Sequence, residues 1–232
     1  MAQCNVDGKT KEITQFEPLL KDLPLEGALV TADAMHCQVN HAVFLIRDKK
    51  ADYLFTVKDN QPSLHDWAKA LCEMNEPWDQ SSFCRKQHGR IEEQTLALFE
   101  PQPTDLRNIS FPFVAQVVRT ARSRSIDGKQ SHEVSYAITS AAKDRMNSKA
   151  MLTARIGHWQ IENGSHYVRD DTMGEDRSRI RKGSGPQVMA ALRNATIGIM
   201  RLTGSDNVAE GLREFGWGPK SRAMRAIGVM TD

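Results

Sequence analysis

Two carboxylates stand where the surrounding sequence could put them to chemical use. Asp33 follows the apolar run Ala28–Ala32, and Glu162 lies in Arg155-Ile-Gly-His-Trp-Gln-Ile-Glu-Asn. An acid one step past a buried strand sits at the strand's carboxyl end, where ligands gather in parallel α/β sheets. The same position suits a helix N-cap, because Asp accepts hydrogen bonds from the first free amides of a helix. Local sequence leaves Asp33 divided between these roles. In a helix, Arg155, Trp159, Glu162, His166 and Arg169 recur at spacings of four, three, four and three, and so share one face. A carboxylate inside a basic and aromatic stripe suits metal binding near phosphates, with Arg155 and Trp159 as nucleic-acid contacts. It also suits a salt-bridged, half-exposed surface.

Three further clusters are chemically suggestive. Lys58-Asp-Asn-Gln61 and His88-Gly-Arg-Ile-Glu92 flank expected strands. Lys58, Asn60, His88 and Arg90 could contact a nucleic-acid backbone, or serve the turns themselves. In Asp170–Lys182 acids run directly into bases, at a spacing unlike the EF-hand calcium loop. There Arg177, Arg179, Arg181 and Lys182 could meet phosphates or pair with the neighbouring acids. No H-E-x-x-H, G-x-S-x-G, P-loop or G-x-G-x-x-G motif occurs, which weighs against common hydrolase, nucleotidase and dehydrogenase sites.

The elements that must position these groups form a mixed α/β pattern. Glu12–Leu20 reads as a helix and Ala28–Ala32 as a strand buried on both faces. Gln38–Lys49 reads as a helix with Val39, Ala42, Val43 and Ile46 inward, and Asp52–Val57 as a second strand. Pro62 can open the next helix. Arg90–Phe99, Phe113–Arg122 and Glu133–Thr139 read as extended stretches of an antiparallel β insertion, at about 84–140. Asp144–Asp170 reads as helical, with a weak point at Gly157. Gln187–Leu202 reads as an amphipathic helix with Val188, Met189, Leu192, Ala195, Ile199 and Met200 inward and Gly204 as its stop. The last residues, basic and Gly-rich, are not assigned.

Bulk properties fit a soluble fold with room for a core: 232 residues, 40% hydrophobic and 26% charged. No apolar run is long enough to span a bilayer, and the N-terminus has no secretory pattern. The four cysteines form no C-x-x-C pair and read as thiols in a reducing cytosol. Net charge is only +2, but residues 1–176 carry −4 and residues 177–232 carry +6. A basic C-terminal quarter could contact phosphates, although a solvated helical surface explains it as well.

These motifs, in this order, resemble those of the H-repeat-associated (ISAs-type) insertion-sequence transposases of the DDE superfamily. The matching stretches are Val30-Thr-Ala-Asp-Ala-Met, Val57-Lys-Asp-Asn-Gln-Pro, His88-Gly-Arg-Ile-Glu, His158-Trp-Gln-Ile-Glu-Asn and Gly174-Glu-Asp-Arg-Ser-Arg-Ile-Arg. Asn5–Thr14 and Leu192-Arg-Asn-Ala-Thr-Ile-Gly fit as well. The resemblance implies an α/β, ribonuclease-H-like mixed sheet with flanking helices. It implies an Asp-Asp-Glu triad holding two Mg²⁺ or Mn²⁺ ions, with Asp33 as the second acid and Glu162 as the third. It implies DNA as substrate, a homo-oligomeric synaptic complex, and a cytoplasmic protein with no membrane partner.

Asp7-Gly-Lys looks like the family's first-acid motif, but the residues after it resemble the segment just before the second acid. On that reading the first strands and the first acid lie upstream. Residues 1–204 would then be a partial catalytic domain and 205–232 a basic tail. An inactive remnant that still binds DNA, or a non-catalytic α/β interaction module, are the competing readings.

Overall fold

The computed structural model describes residues 12–87, 90–126, 129–161, 167–205, 207–219 and 225. The chain forms two compact units, Met1–Ile156 and Gly157–Asp232.

The first unit is built on a six-stranded sheet. Helix α1 (Glu12–Leu20) precedes strand β1 (Leu29–Ala32). A 3₁₀ turn (Ala34–His36), helix α2 (Val39–Val43) and a π turn (Phe44–Asp48) lead to β2 (Asp52–Val57). Helix α3 (Pro62–Met74) follows, opened by its proline. Then come β3 (Asp79–Gln87), β4 (Arg90–Phe99), the short α4 (Pro103–Leu106), β5 (Gln116–Ile126), β6 (Lys129–Thr139) and the start of α5 (Ser148–Ile161), whose last residues belong to the second unit. Spatial order is β1-β2-β6-β5-β4-β3. β1 and β2 are parallel, with Ala32 opposite Phe55; every other pair is antiparallel, and Phe55 meets Ile138 of β6.

Burial explains the apolar character of β2. Tyr53, Phe55 and Val57 join one core with Phe16 of α1, Ala42 of α2 and Leu64, Ala68 and Leu71 of α3. Leu54 points into a second core with Leu96, Leu98, Val118, Ala137 and Met151 and Leu152 of α5. Helices therefore cover both faces, and a strand between them must be apolar on both. β3 shows the opposite case. Its sequence, DQSSFCRKQ, carries no strand signal because it is an edge strand, where polar residues protect against unwanted pairing. The expected three extended stretches are therefore four strands, hydrogen-bonded into the same sheet as β1 and β2.

The expected helix 38–49 divides into α2 and the π turn, and Val39 is exposed while His41 and Leu45 are buried. No break occurs at Gly157, which lies inside α5.

The second unit contains a π turn (Val168–Thr172), α6 (Gly185–Leu202) and α7 (Val208–Trp217). Asn207 caps α7 by accepting hydrogen bonds from the Ala209 and Glu210 amides. Gly204, at φ +81°, provides the left-handed stop after α6. The inward face of α6 differs from the expected one. Ala190, Arg193, Ile197 and Met200 are buried, while Val188 and Leu192 are 53% and 55% exposed. Ile197 and Met200 pack with Val168, Met173, Val208, Leu212 and Phe215. These tertiary partners select that stripe over the adjacent apolar one.

Candidate active site

Asp33 lies directly after β1, at the carboxyl end of the parallel pair, and is exposed. It occupies the N-cap of the Ala34–His36 turn with extended backbone, yet its side chain makes no capping hydrogen bond. Only its carbonyl closes the turn, accepting from the His36 amide at 2.9 Å. The capping role that the sequence allowed is therefore not the one adopted.

The loop after β2 is tied to this turn. Asn60 Nδ2 donates to the Ala34 carbonyl at 2.7 Å, and Gln61 Nε2 donates to the Cys37 carbonyl at 2.9 Å. These amides hold the two strand-end loops together, so Asn60 and Gln61 do turn chemistry. Lys58, at the start of the same loop, is exposed at the carboxyl end of β2. Behind Asp33, His36 stacks obliquely on Phe16 and His41. Burial holds the His36 imidazole below its ordinary pKa, assisted by His41 and opposed by Glu12 and Asp33.

Helix α5 is anchored at three levels along one stripe. At its start, Asp79 of β3 accepts from the Ser148 amide at 2.7 Å, and the Ser81 and Ser148 hydroxyls lie 2.6 Å apart. In its middle, Met151 and Leu152 enter the second core. At Arg155, Nη1 donates to Thr56 Oγ1 at 3.3 Å and Nη2 donates to Ser135 Oγ at 3.1 Å. Burial lowers the Arg155 pKa from its ordinary value, partly offset by Glu133. Thr56 follows Phe55 as Asp33 follows Ala32, so Arg155 reaches the sheet one residue past the last β1–β2 pair. Two of its donors face inward, toward the sheet. Thr56 and Ser135 had no signal in the sequence, since neither is near Arg155 along the chain.

The Asp170–Lys182 run resolves into ion pairs and exposed bases. Arg169 binds Glu175 through two hydrogen bonds of 2.6 and 2.8 Å, and Arg193 Nη1 lies 3.9 Å from the same carboxylate. Glu175 is held below its ordinary pKa, chiefly by the Arg169 hydrogen bonds. Arg177 pairs with Asp171 at 3.1 Å. Arg179, Arg181 and Lys182 are exposed. Glu162, His88 and Asp7 lie outside the described residues, as do the side chains of Arg90 and Trp159.

Among the described residues no group of three His, Cys, Asp or Glu side chains could hold a metal ion. Asp33 is a hard oxygen donor of the kind Mg²⁺ and Mn²⁺ take, and its exposure fits a ligand role. The described residues thus supply one candidate ligand, not a complete centre. None of the described helices is long and apolar enough to cross a membrane.

The family model "Transposase DDE domain" matches residues 2–198. The chain belongs to the DDE transposase family. It is 33% identical over 223 residues to the "H repeat-associated putative transposase YhhI" of Escherichia coli strain K12, covering 92% of this chain and 57% of that protein. The same identity and coverage hold for the "Putative protein YbfL" of that strain. Identity is 32% over 209 residues to the "Putative transposase YncI" of Escherichia coli O157:H7, covering 87% of this chain and 53% of that protein. This transposase chain therefore spans about 57% of the length of the relatives it matches best among these. Members of the DDE family act with divalent metal ions. The H-repeat-associated type expected from the motifs agrees with these relatives.

Proposed function

We propose that this chain carries DNA strand-cleavage and strand-transfer chemistry, with Asp33 and Glu162 as two of the carboxylates that hold catalytic Mg²⁺ or Mn²⁺. The observation that carries the reading is the placement of Asp33 beyond the parallel β1–β2 pair, its side chain not used in capping. Glu162 is the residue after α5 in the chain, and α5 is anchored at Thr56, one residue past the same pair. A sheet of ribonuclease-H type would bring two such acids to one strand-end crevice.

When bound, the ions would activate the attacking water or 3′-hydroxyl and stabilise the leaving oxygen. The chain's own part is positional. The strand end fixes Asp33, the amides of Asn60 and Gln61 fix the loop beside it, and α5 directs its C-terminal turn. Lys58 is an exposed cation at that edge and suits the approach of a DNA phosphate. Arg179 and Arg181, exposed in the second unit, suit phosphate contacts as well, with His88, Arg90 and Trp159 as further contacts. Such phosphate contacts set position and carry no base sequence. DNA ends and target, and a second copy in a synaptic assembly, are the partners this reading implies, in the cytoplasm. Residues 1–204 would act as the catalytic portion and 205–232 as a basic tail.

Mn²⁺ titration and Mn²⁺-dependent nicking of DNA test the reading. Asp33→Asn and Glu162→Gln should each weaken Mn²⁺ binding and abolish nicking. Unchanged Mn²⁺ binding in both variants would refute the site. Mn²⁺ and DNA binding without nicking would favour the second reading, a binding remnant.

A further inference from the structure

We infer that Arg155 is a positioning residue that locks the C-terminal turns of α5 onto the sheet at the level of Asp33. Ser148, Met151, Leu152 and Arg155 form a stripe at i, i+3, i+4 and i+7, the spacing that keeps side chains on one helix face. All four are engaged: Ser148 on β3, Met151 and Leu152 in the sheet core, and Arg155 on β2 and β6. The anchors move from the edge strand β3 to the interior pair β2–β6, so the helix crosses the sheet in the direction of β1.

Arg155 is the last of these anchors. Glu162 comes seven residues later in the sequence, directly after α5. Among the described residues the acceptors of Arg155 are two neutral hydroxyls on different strands. A guanidinium fork can hold both at once and so fixes rotation as well as contact, which a single-point ammonium cannot do. Charge removal from such a place need not unfold the protein, because an apolar side chain of similar length fills the space without a desolvation cost. The role is therefore geometric. It rests on the reading that α5 carries Glu162 to Asp33, and assigns Arg155 to the sheet, not to DNA.

Hydrogen exchange of the full chain, with thermal melting, tests this without requiring metal. In Arg155→Met, amides 157–161 should exchange about ten-fold faster or more, while 149–154 stay protected and melting changes little. Arg155→Lys should recover part of the protection. Thr56→Val with Ser135→Ala removes the acceptors at similar volume and should reproduce the effect, and it decides the matter if Arg155→Met fails to fold. Unchanged exchange at 157–161, or an equal rise at 149–154, would overturn the inference. In Mn²⁺ titration, Arg155→Met should weaken binding about ten-fold with Arg155→Lys intermediate. Mn²⁺ binding lost in Asp33→Asn but unaltered in a loosened Arg155→Met also overturns it. Mn²⁺ binding unaffected by Asp33→Asn and Glu162→Gln sinks the active-site reading instead, leaving the exchange result to decide the lock.

Discussion

Replacing Glu175 by Gln should destabilise the second unit far more than an ordinary surface change. Glu175 accepts two charge-assisted hydrogen bonds from Arg169, at 2.6 and 2.8 Å. Arg193, with its side chain only 9% exposed, lies 3.9 Å from the same carboxylate. Loss of one partner from a fully buried pair costs roughly 3–5 kcal/mol, because the other charge is left uncompensated. Glu175 and Arg169 remain 23% and 28% exposed, so solvent screens part of that. About 2 kcal/mol is the expected cost after this discount. Arg193→Met should cost much less, since it removes the buried charge and keeps an apolar stem among Ile197 and its neighbours. Urea unfolding followed by circular dichroism at neutral pH measures both. A cost below about 0.5 kcal/mol for Glu175→Gln, the level of a neutral surface change, would refute the reasoning. So would an Arg193→Met variant as damaged as Glu175→Gln. The pH dependence has a definite sign. The folded-state pKa of Glu175 lies below its ordinary 4.5, so its contribution is present above that value. It is lost as pH falls through the lowered pKa, and Glu175→Gln should flatten the acid limb of the stability curve.

Other outcomes follow from the first unit. Met151, fully buried under the sheet, should cost about 2–5 kcal/mol on Met151→Ala in denaturant unfolding. Asp79→Ala removes the acceptor of the Ser148 amide and should cost about 1 kcal/mol, as capping changes do. That amide holds Asp79 below its ordinary pKa, so the loss should be seen near neutrality and vanish as pH falls through the lowered value. Burial pushes the Cys37 and Cys72 thiols up to about 12, whereas Cys84 is exposed. Iodoacetamide at pH near 8 should therefore label Cys84 long before either buried thiol, as mass mapping would show.

Much of the candidate site was legible because it is local. The run Ala28–Ala32 announced a strand, and Asp33 necessarily stood at its end; burial on both faces did not follow, because β1 lies at the edge of the described sheet and only Ala32 is buried. Its choice between cap and ligand was not local, since it depends on where the carboxylate points once the turn forms. Asn60 offered turn and phosphate roles alike; the Ala34 carbonyl, 26 residues away, decided for the turn. Glu162 drew its meaning from its neighbours' spacing and remains a proposal.

The sequence alone determined the periodic elements. Glu12–Leu20, Asp52–Val57 and the proline-opened α3 follow from hydrophobic period and end signals, which act within a few residues. Motif order alone also pointed to the DDE family. Tertiary structure decided what depends on distant partners. It recruited polar β3 as an edge strand by pairing it with β4. It chose the Ala190–Arg193–Ile197–Met200 face of α6 through Glu175 and the residues packed around α7. It brought Arg155 to Thr56 and Ser135, 99 and 20 residues away. Local pattern records which faces of an element are apolar; only the packed fold determines which partner each face meets.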